Sequence, residues 1–435
     1  MKHRAWMKAM ALLAVLSVVA AGCAGDDDDG PEAGGVDCAT VEFGCVEVGA
    51  DDPINIGVSQ VISGADATLG QDQVNGIELA LDHRDGQFDD QNGQVLGHDV
   101  GTTVEDDGCS AEGGAAAAQA LAADTSVVAV IGTSCSSGAL GVADTIFSDK
   151  GILLLSASNT NPALTAEGTH QPFYARTAHN DRIQGAIVAE FSLGEDVGAT
   201  TAATIADESP YTQGLVAAFE QNFEAGDGTI TGTEQVNSED TDFKAPLRSL
   251  AEGDPDVLYF PIFVAACTLV IKQAQEIMPD TTLIVSDGCL SSDTLKNAGP
   301  DAEGVFASSP DPSGTADPFY ADELVPAYRE AFGSAPLSVF HGHAYDATNI
   351  LLDAIEAVAI ENEDGSLSIP REALRDEVFA TEGYGGVVGT FTCTELGDCA
   401  TDVTIGIFEA PAWPVEGGAE GGAVYSDTKS LDDVL

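Results

Sequence analysis

Basic residues are scarce in this 435-residue chain: 15 Lys and Arg stand against 72 Asp and Glu, a formal net charge of −57. Such a surface repels phosphate backbones, which argues against nucleic acid as a partner. Only Asp26–Asp29 form an acidic run. The charge is therefore spread over the folded body, as suits a salty medium that screens self-repulsion within a few ångströms. Aromatics are also sparse at 6%, but 44% apolar residues and 48 glycines suit closely packed α/β layers. No apolar run approaches the ~20 residues needed to span a bilayer. No C-x-x-C spacing occurs and no histidine neighbours the cysteines, so neither a metal nor any other cofactor is expected.

What the N-terminus does contain is a targeting segment. Lys2, Arg4 and Lys8 precede the apolar stretch Ala9–Ala21, which ends in Ala20-Ala21-Gly22-Cys23. Residues 1–22 thus resemble a bacterial lipoprotein signal peptide, with Cys23 as the lipidated residue and Ala20 where Leu is usual. The alternative is plain secretion with a free Cys23. No adjacent arginine pair is present, which favours the general export route. The expected location is the outer face of the cytoplasmic membrane, held by the lipid anchor alone. Residues 23–52 read as an acidic spacer.

Removing Cys23 leaves eight cysteines: 38, 45, 109, 135, 267, 289, 393 and 399. An even number in an exported chain reads as disulfides, although eight cysteines allow 105 connectivities. Their clustering suggests Cys38–Cys45, Cys109–Cys135, Cys267–Cys289 and Cys393–Cys399.

From Pro53 onward, β-branched runs alternate with helical spacings. Strands are expected at Ile54–Ile62, Val95–Val104, Val127–Gly132, Ile152–Ser156, Thr200–Ile205, Val257–Pro261, Thr282–Ser286, Gly304–Ser308 and Val403–Phe408. Helices are expected at Gln71–Asp85, Ala111–Ala123, Ser137–Asp149, Asp181–Phe191, Thr212–Phe223, Phe243–Leu250, Cys267–Ile277, Pro318–Phe332 and His341–Ile360. Such alternation implies parallel sheets covered on both faces, and the length implies two lobes. The tail 413–435 reads as flexible and acidic.

Ligands of open α/β sheets sit at strand carboxyl ends beside helix starts. Three such ends stand out: Thr133-Ser134-Cys135-Ser136-Ser137, Ala157-Ser158-Asn159-Thr160-Asn161-Pro162, and Asp287-Gly288. Taken singly, each could be a helix cap or a turn. Together, hydroxyls for a carboxylate and one acid for an ammonium would complement a zwitterion.

The segments EDDGC, GTSCSSGAL, KGILLLSASNTNPALT and YARTAHND, with SGADATLGQDQVNGIELALD, DESPYTQGLV and HGHAYDATNILLDAI, resemble the leucine/isoleucine/valine-binding family. These are type I periplasmic binding proteins of ABC transporters, and the likeness runs from about 53 to 410. The resemblance implies two Rossmann-like lobes with parallel sheets and a multi-strand hinge: 53–178 plus 306–385, and 179–305 plus 386–412. It implies that Ser136 and Thr160 donate to a ligand carboxylate and that the Ser158 carbonyl accepts from the ammonium. Tyr211 would close over the ligand, and Asp287 would pair with the ammonium. It also supports the Cys109–Cys135 bridge. Leu69 and Phe263 would face the ligand side chain, where the family often carries aromatic residues, and Asp287 is shorter than the usual Glu. A small amino-acid ligand, an ABC transporter permease as partner, and a monomer follow as expectations. An amide, urea or aromatic-acid ligand, or a sensing role, is the alternative.

Catalysis is weakly supported. Gly132-Thr133-Ser134-Cys135-Ser136 lacks the second glycine of a nucleophile elbow. His341 and His343 do not share a helix face and read as surface or capping residues. Gly383-Tyr384-Gly385-Gly386 lacks the third glycine of a dinucleotide fingerprint. Asp82, Asp85, Asp89 and Asp90 lack calcium-loop spacing and read as a solvated loop.

Overall fold

The computed structural model describes residues 38–311, 313, 318–414 and 422–434. The leader, Cys23 and most of the spacer lie outside the described residues. Two sheets organise the chain. In the first, the strands Ile54–Gln60, His98–Asp106, Val127–Gly132, Leu154–Ser156 and Tyr174–Arg176 are parallel, and the short Gln94–Val95 pairs antiparallel at one edge. Counting only the parallel strands in chain order, the spatial order is 2-1-3-4-5.

The second sheet repeats that order with Thr201–Ala206, Thr229–Gln235, Val257–Tyr259, Thr282–Val285 and Phe306–Pro310. Its far edge is completed by the antiparallel strands Asp402–Glu409 and Tyr425–Ser430. Val257 and Tyr259 enter one apolar core while Leu258 and Phe260 enter another, and Ile284 is likewise separated from Leu283 and Val285. Both faces of this sheet are buried, which is why its strands read as apolar runs rather than as alternations.

The chain leaves the first sheet after Tyr174–Arg176, returns after Phe306–Pro310 and crosses again before Asp402–Glu409. The strand at 306 therefore belongs to the second sheet, although it was expected to begin the return to the first lobe. The long helix His341–Val358 packs on Ala67–Asp82 in the first lobe.

Three further expectations are corrected. Cys45–Val48, assigned to the spacer, pairs antiparallel with Leu367–Pro370. The tail contributes Tyr425–Ser430, whose ladder to Asp402–Glu409 supplies order without apolar periodicity. Thr229–Gln235, Ser292–Ala298 and Arg371–Phe379 are regular elements that the sequence pattern did not reveal. The four cysteine pairs suggested by clustering are all disulfides.

Candidate functional site

The carboxyl ends of both sheets converge on one cleft. In the first lobe, Val127–Gly132 runs into Thr133–Cys135 and then into the helical run 136–149. Two tethers fix this turn. Cys109–Cys135 ties it to the loop after His98–Asp106, two strands away across Ile54–Gln60, and the buried Asp107 accepts from the Ser134 and Cys109 amides at 2.8 and 2.9 Å. Ser136 is buried at the first position of the helical run, and its Oγ accepts from the Asn161 amide at 3.3 Å.

The loop after Leu154–Ser156 is held from below by Arg176, the largest fully buried side chain. Its guanidinium donates to the Asn159 and Asn161 carbonyls at 3.0 and 2.9 Å and to Thr165 at 2.7 Å, and it pairs with Asp398 at 2.6 Å. A buried bidentate cation of this kind converts a loop into a rigid shelf. Ser158 spends its hydroxyl on the Ser134 carbonyl and Gln73. Thr160 does not: its Oγ1 is buried and has no hydrogen-bond partner within the protein.

Facing Thr160 is Asp181, the first residue of the helix Asp181–Leu193, whose amide donates to the Thr160 carbonyl at 3.0 Å. Asp181 is fully buried, and both its carboxyl oxygens lack partners. Burial, and then the Asp287 charge, push its pKa well above the ordinary carboxylate range, against the opposing pull of the Thr160 hydroxyl that it faces. Asp287 lies at the end of Thr282–Val285 and accepts from Gln184 Nε2 at 2.7 Å. Burial raises its pKa to about 6, against the opposing pull of Gln184. Two buried carboxyls beside one unsatisfied hydroxyl are costly in an isolated fold, which makes this cluster the candidate site.

Tyr211 is the second residue of the helix Pro210–Ala225. Its hydroxyl hydrogen-bonds Ser286 at 2.6 Å and accepts from the Gly288 amide at 3.3 Å, and its ring lies 5.3 Å from Phe263. A Cβ on Gly288 would come within 3.0 Å of that ring, so this close approach needs glycine. Leu69, Phe263, Asp287 and Ser338 line a narrow cleft between the lobes. Of the seven ligand-site candidates, Leu69, Phe263 and Asp287 line this cleft, Ser136, Ser158 and Thr160 lie beyond two strand ends of the first lobe, and Tyr211 packs on Phe263 and Gly288 of the second.

The sequence reading missed Asp181 and Gln184. An acid opening a helix directly after a strand end was the available signal, but Asn180-Asp181 also reads as an ordinary cap. Gln184 carries no sequence-level signal. It joins Asp287 to the buried His179, with Oε1 2.6 Å from Nε2. His341 and His343, read as surface or capping residues, are both buried; Asp72 accepts from the His341 amide and faces its Nδ1 at 3.1 Å. Asp82, read as solvated, is buried and accepts from the Asp89 and Gln91 amides. Tyr384–Gly385 forms a small hairpin with Thr390–Phe391. Among the described residues the one cluster with metal-like spacing is Cys38, Cys45 and Glu47, whose sulfurs are joined in a disulfide.

Two doubly wound lobes, three crossings and a polar cleft at the strand carboxyl ends define a two-lobed solute-binding protein. The chain belongs to the periplasmic binding protein family, whose model matches residues 53–404, and within it is similar to the leucine/isoleucine/valine-binding proteins. It is 27% identical over 337 residues to a leucine-, isoleucine-, valine-, threonine- and alanine-binding protein of Pseudomonas aeruginosa, covering 76% of this chain and 84% of that one. A leucine-binding protein from Thermotoga maritima superposes with a TM-score of 0.73 at 24% identity, over 88% of this chain and all of that one. The substrate-binding protein of a branched-chain amino acid transporter from Streptococcus pneumoniae, in complex with isoleucine, gives 0.71 at 22% identity, over 87% and 100%. The family is extracytoplasmic and serves ABC transporters. No helix among the described residues is long and apolar enough to cross a membrane.

Proposed function

We propose that this protein captures a small neutral amino acid, branched-chain or similar, in the inter-lobe cleft and delivers it to an ABC transporter permease. It does so as a monomer anchored through lipid on Cys23. The observation that carries the reading is the unpartnered set of Thr160 Oγ1 and the Asp181 carboxyl oxygens, buried beside Asp287. An α-carboxylate between the hydroxyls of Ser136 and Thr160 and an α-ammonium between Asp181, Asp287 and the Ser158 carbonyl would satisfy these groups. Buried charges are tolerated when paired and hydrogen-bonded in this way. Tyr211 would cover the ligand from the second lobe, with Leu69 and Phe263 against its side chain. Ligand would bias the hinge toward closure by its differential affinity for the closed form, which the permease would read.

The test is a thermal-shift screen of the full chain against the proteinogenic amino acids, simple amides, urea and benzoic acid. A ligand at 100-fold its dissociation constant adds about 2.7 kcal/mol. Stabilisation by neutral amino acids supports the reading. A response confined to amides, urea or the aromatic acid overturns the amino-acid assignment and leaves the fold untouched.

A further inference from the structure

Outside the zwitterion cleft, its mouth opens into a cavity of about 650 Å³ whose lining includes Asp66, Asp207, Glu208, Glu239 and Asp240. Among the described residues no Lys, Arg or His lines it. Acidic surface is the rule on this molecule, so the cluster alone signifies little; the two innermost carboxylates are different. Asp66 occupies the N-cap position of the helix Ala67–Asp82 yet makes no capping hydrogen bond, and its Oδ1 is buried without a partner. A capping bond is the usual reason for Asp at that position, so its carboxylate is held for something else. Asp207 opposes it from the other lobe, at the end of Thr201–Ala206. It is 1% exposed, and Oδ1 accepts from the Ser209 amide and Thr212 while Oδ2 has no partner.

Bringing two such carboxylates together from opposite lobes is unfavourable unless positive charge lies between them. One acid belongs to each lobe, so their proximity depends on how the lobes meet. We propose that the cleft mouth binds a cation between Asp66 of the first lobe and Asp207 of the second, linking closure on ligand to the presence of that charge. The mouth shares Asp66 and Phe263 with the lining of the inner cleft. The positive charge can therefore come from an inorganic cation or from the distal ammonium of a basic amino acid whose α-groups occupy the inner site. Carboxylate oxygens suit either. Burial, and then the Asp207 charge, raise the Asp66 pKa to about 6, in keeping with a carboxylate short of positive charge. Glu208, Glu239 and Asp240 draw cations toward the mouth. This inference rests on the proposed reading of the inner cleft as the amino-acid site.

The experiment is calorimetric titration of the full chain with L-leucine and with L-lysine at about pH 8, where a carboxyl raised to pKa 6 is ionised. Ionic strength is held constant while sodium or calcium replaces choline. An inorganic occupant predicts that leucine binds roughly tenfold more tightly in sodium or calcium than in choline, with the difference lost in Asp66→Asn. A ligand ammonium predicts that lysine outbinds leucine in choline, and that Asp66→Asn erases the preference. Equal responses of wild type and Asp66→Asn to cations and to both ligands overturn the cation site while leaving the amino-acid reading intact. If neither amino acid binds, the inner cleft is decided by the full amino-acid screen and melting temperature decides the mouth. A sodium-over-choline rise in wild type absent from Asp66→Asn upholds the site, and no difference overturns it. Asp207→Ser, which removes the second carboxylate, repeats the comparison if Asp66→Asn does not fold.

Discussion

Thr160 separates a binding role from a structural one. Its hydroxyl is buried without a hydrogen bond of good geometry and only faces the Asp181 carboxyl, so Thr160→Val removes little on which folding depends. Its melting temperature should match or exceed wild type, because burying an unsatisfied hydroxyl costs about 1–3 kcal/mol. Ligand affinity should fall by about tenfold or more, the worth of a hydrogen bond to a charged group. Paired calorimetry and thermal melts check both. Asp287 adds a pH dependence with a definite sign. Burial raises its free-state pKa to about 6, and a bound ammonium favours the ionised form. Below that pH a proton must leave before the pair can form. Affinity should therefore weaken as pH falls through 6, approaching about tenfold per unit. A titration series between pH 4.5 and 8 reads it, and a flat profile would remove Asp287 from the site.

At the scale of the element, the ligand loop is only as rigid as its support. Arg176 holds the carbonyls of Asn159 and Asn161 while paired with the buried Asp398. Replacing it in Arg176→Met leaves Asp398 charged and unpaired, at a cost of about 3–5 kcal/mol. Restoring apolar volume does not compensate for the lost donors. Denaturant titration should show that loss, and affinity should fall with it because Thr160 sits between the two anchored carbonyls. Arg176→Met combined with Asp398→Leu should recover most of the stability but not the affinity. Recovery of both would mean that the loop keeps its shape without the shelf.

At the scale of the molecule, closure depends on how nearly the lobes can meet. Asn161 of the first lobe donates to the Pro210 carbonyl of the second at 2.6 Å. A Cβ on Gly214 of the second-lobe helix would stand 2.6 Å from that Asn161 nitrogen. Gly214→Ala should therefore hold the lobes apart or cost the bridging bond. It should also gain up to about 1 kcal/mol in the helix, where Ala outperforms Gly. A more stable protein that binds ligand several-fold more weakly is the expected combination, read by melting temperature and calorimetry together. Unchanged affinity would show that the Asn161 bridge plays no part in closure.

Much of this architecture was legible before any coordinates because its signals are local. Val127–Gly132 and Ala111–Ala123 appear where the apolar spacing places them, since a strand buried on both faces leaves a continuous hydrophobic trace and a helix buried on one side a periodic one. The hydroxyls at positions 136 and 160 and the acid at 287 were visible as strand-end residues, and nearby cysteines paired as their clustering suggested. What the sequence left open depends on partners distant along the chain. Tyr425–Ser430 is a strand because Asp402–Glu409 offers it an edge, and Phe306–Pro310 joins the second lobe because Thr282–Val285 lies beside it. Asp181 and Gln184 join the site, and His341 leaves the surface, through contacts that no spacing encodes. The sequence determined which residues could recognise a zwitterion. Tertiary structure decided which of them are buried from water and which, like Thr160, keep a polar atom without a good partner inside the protein, because both depend on what the fold packs around each side chain.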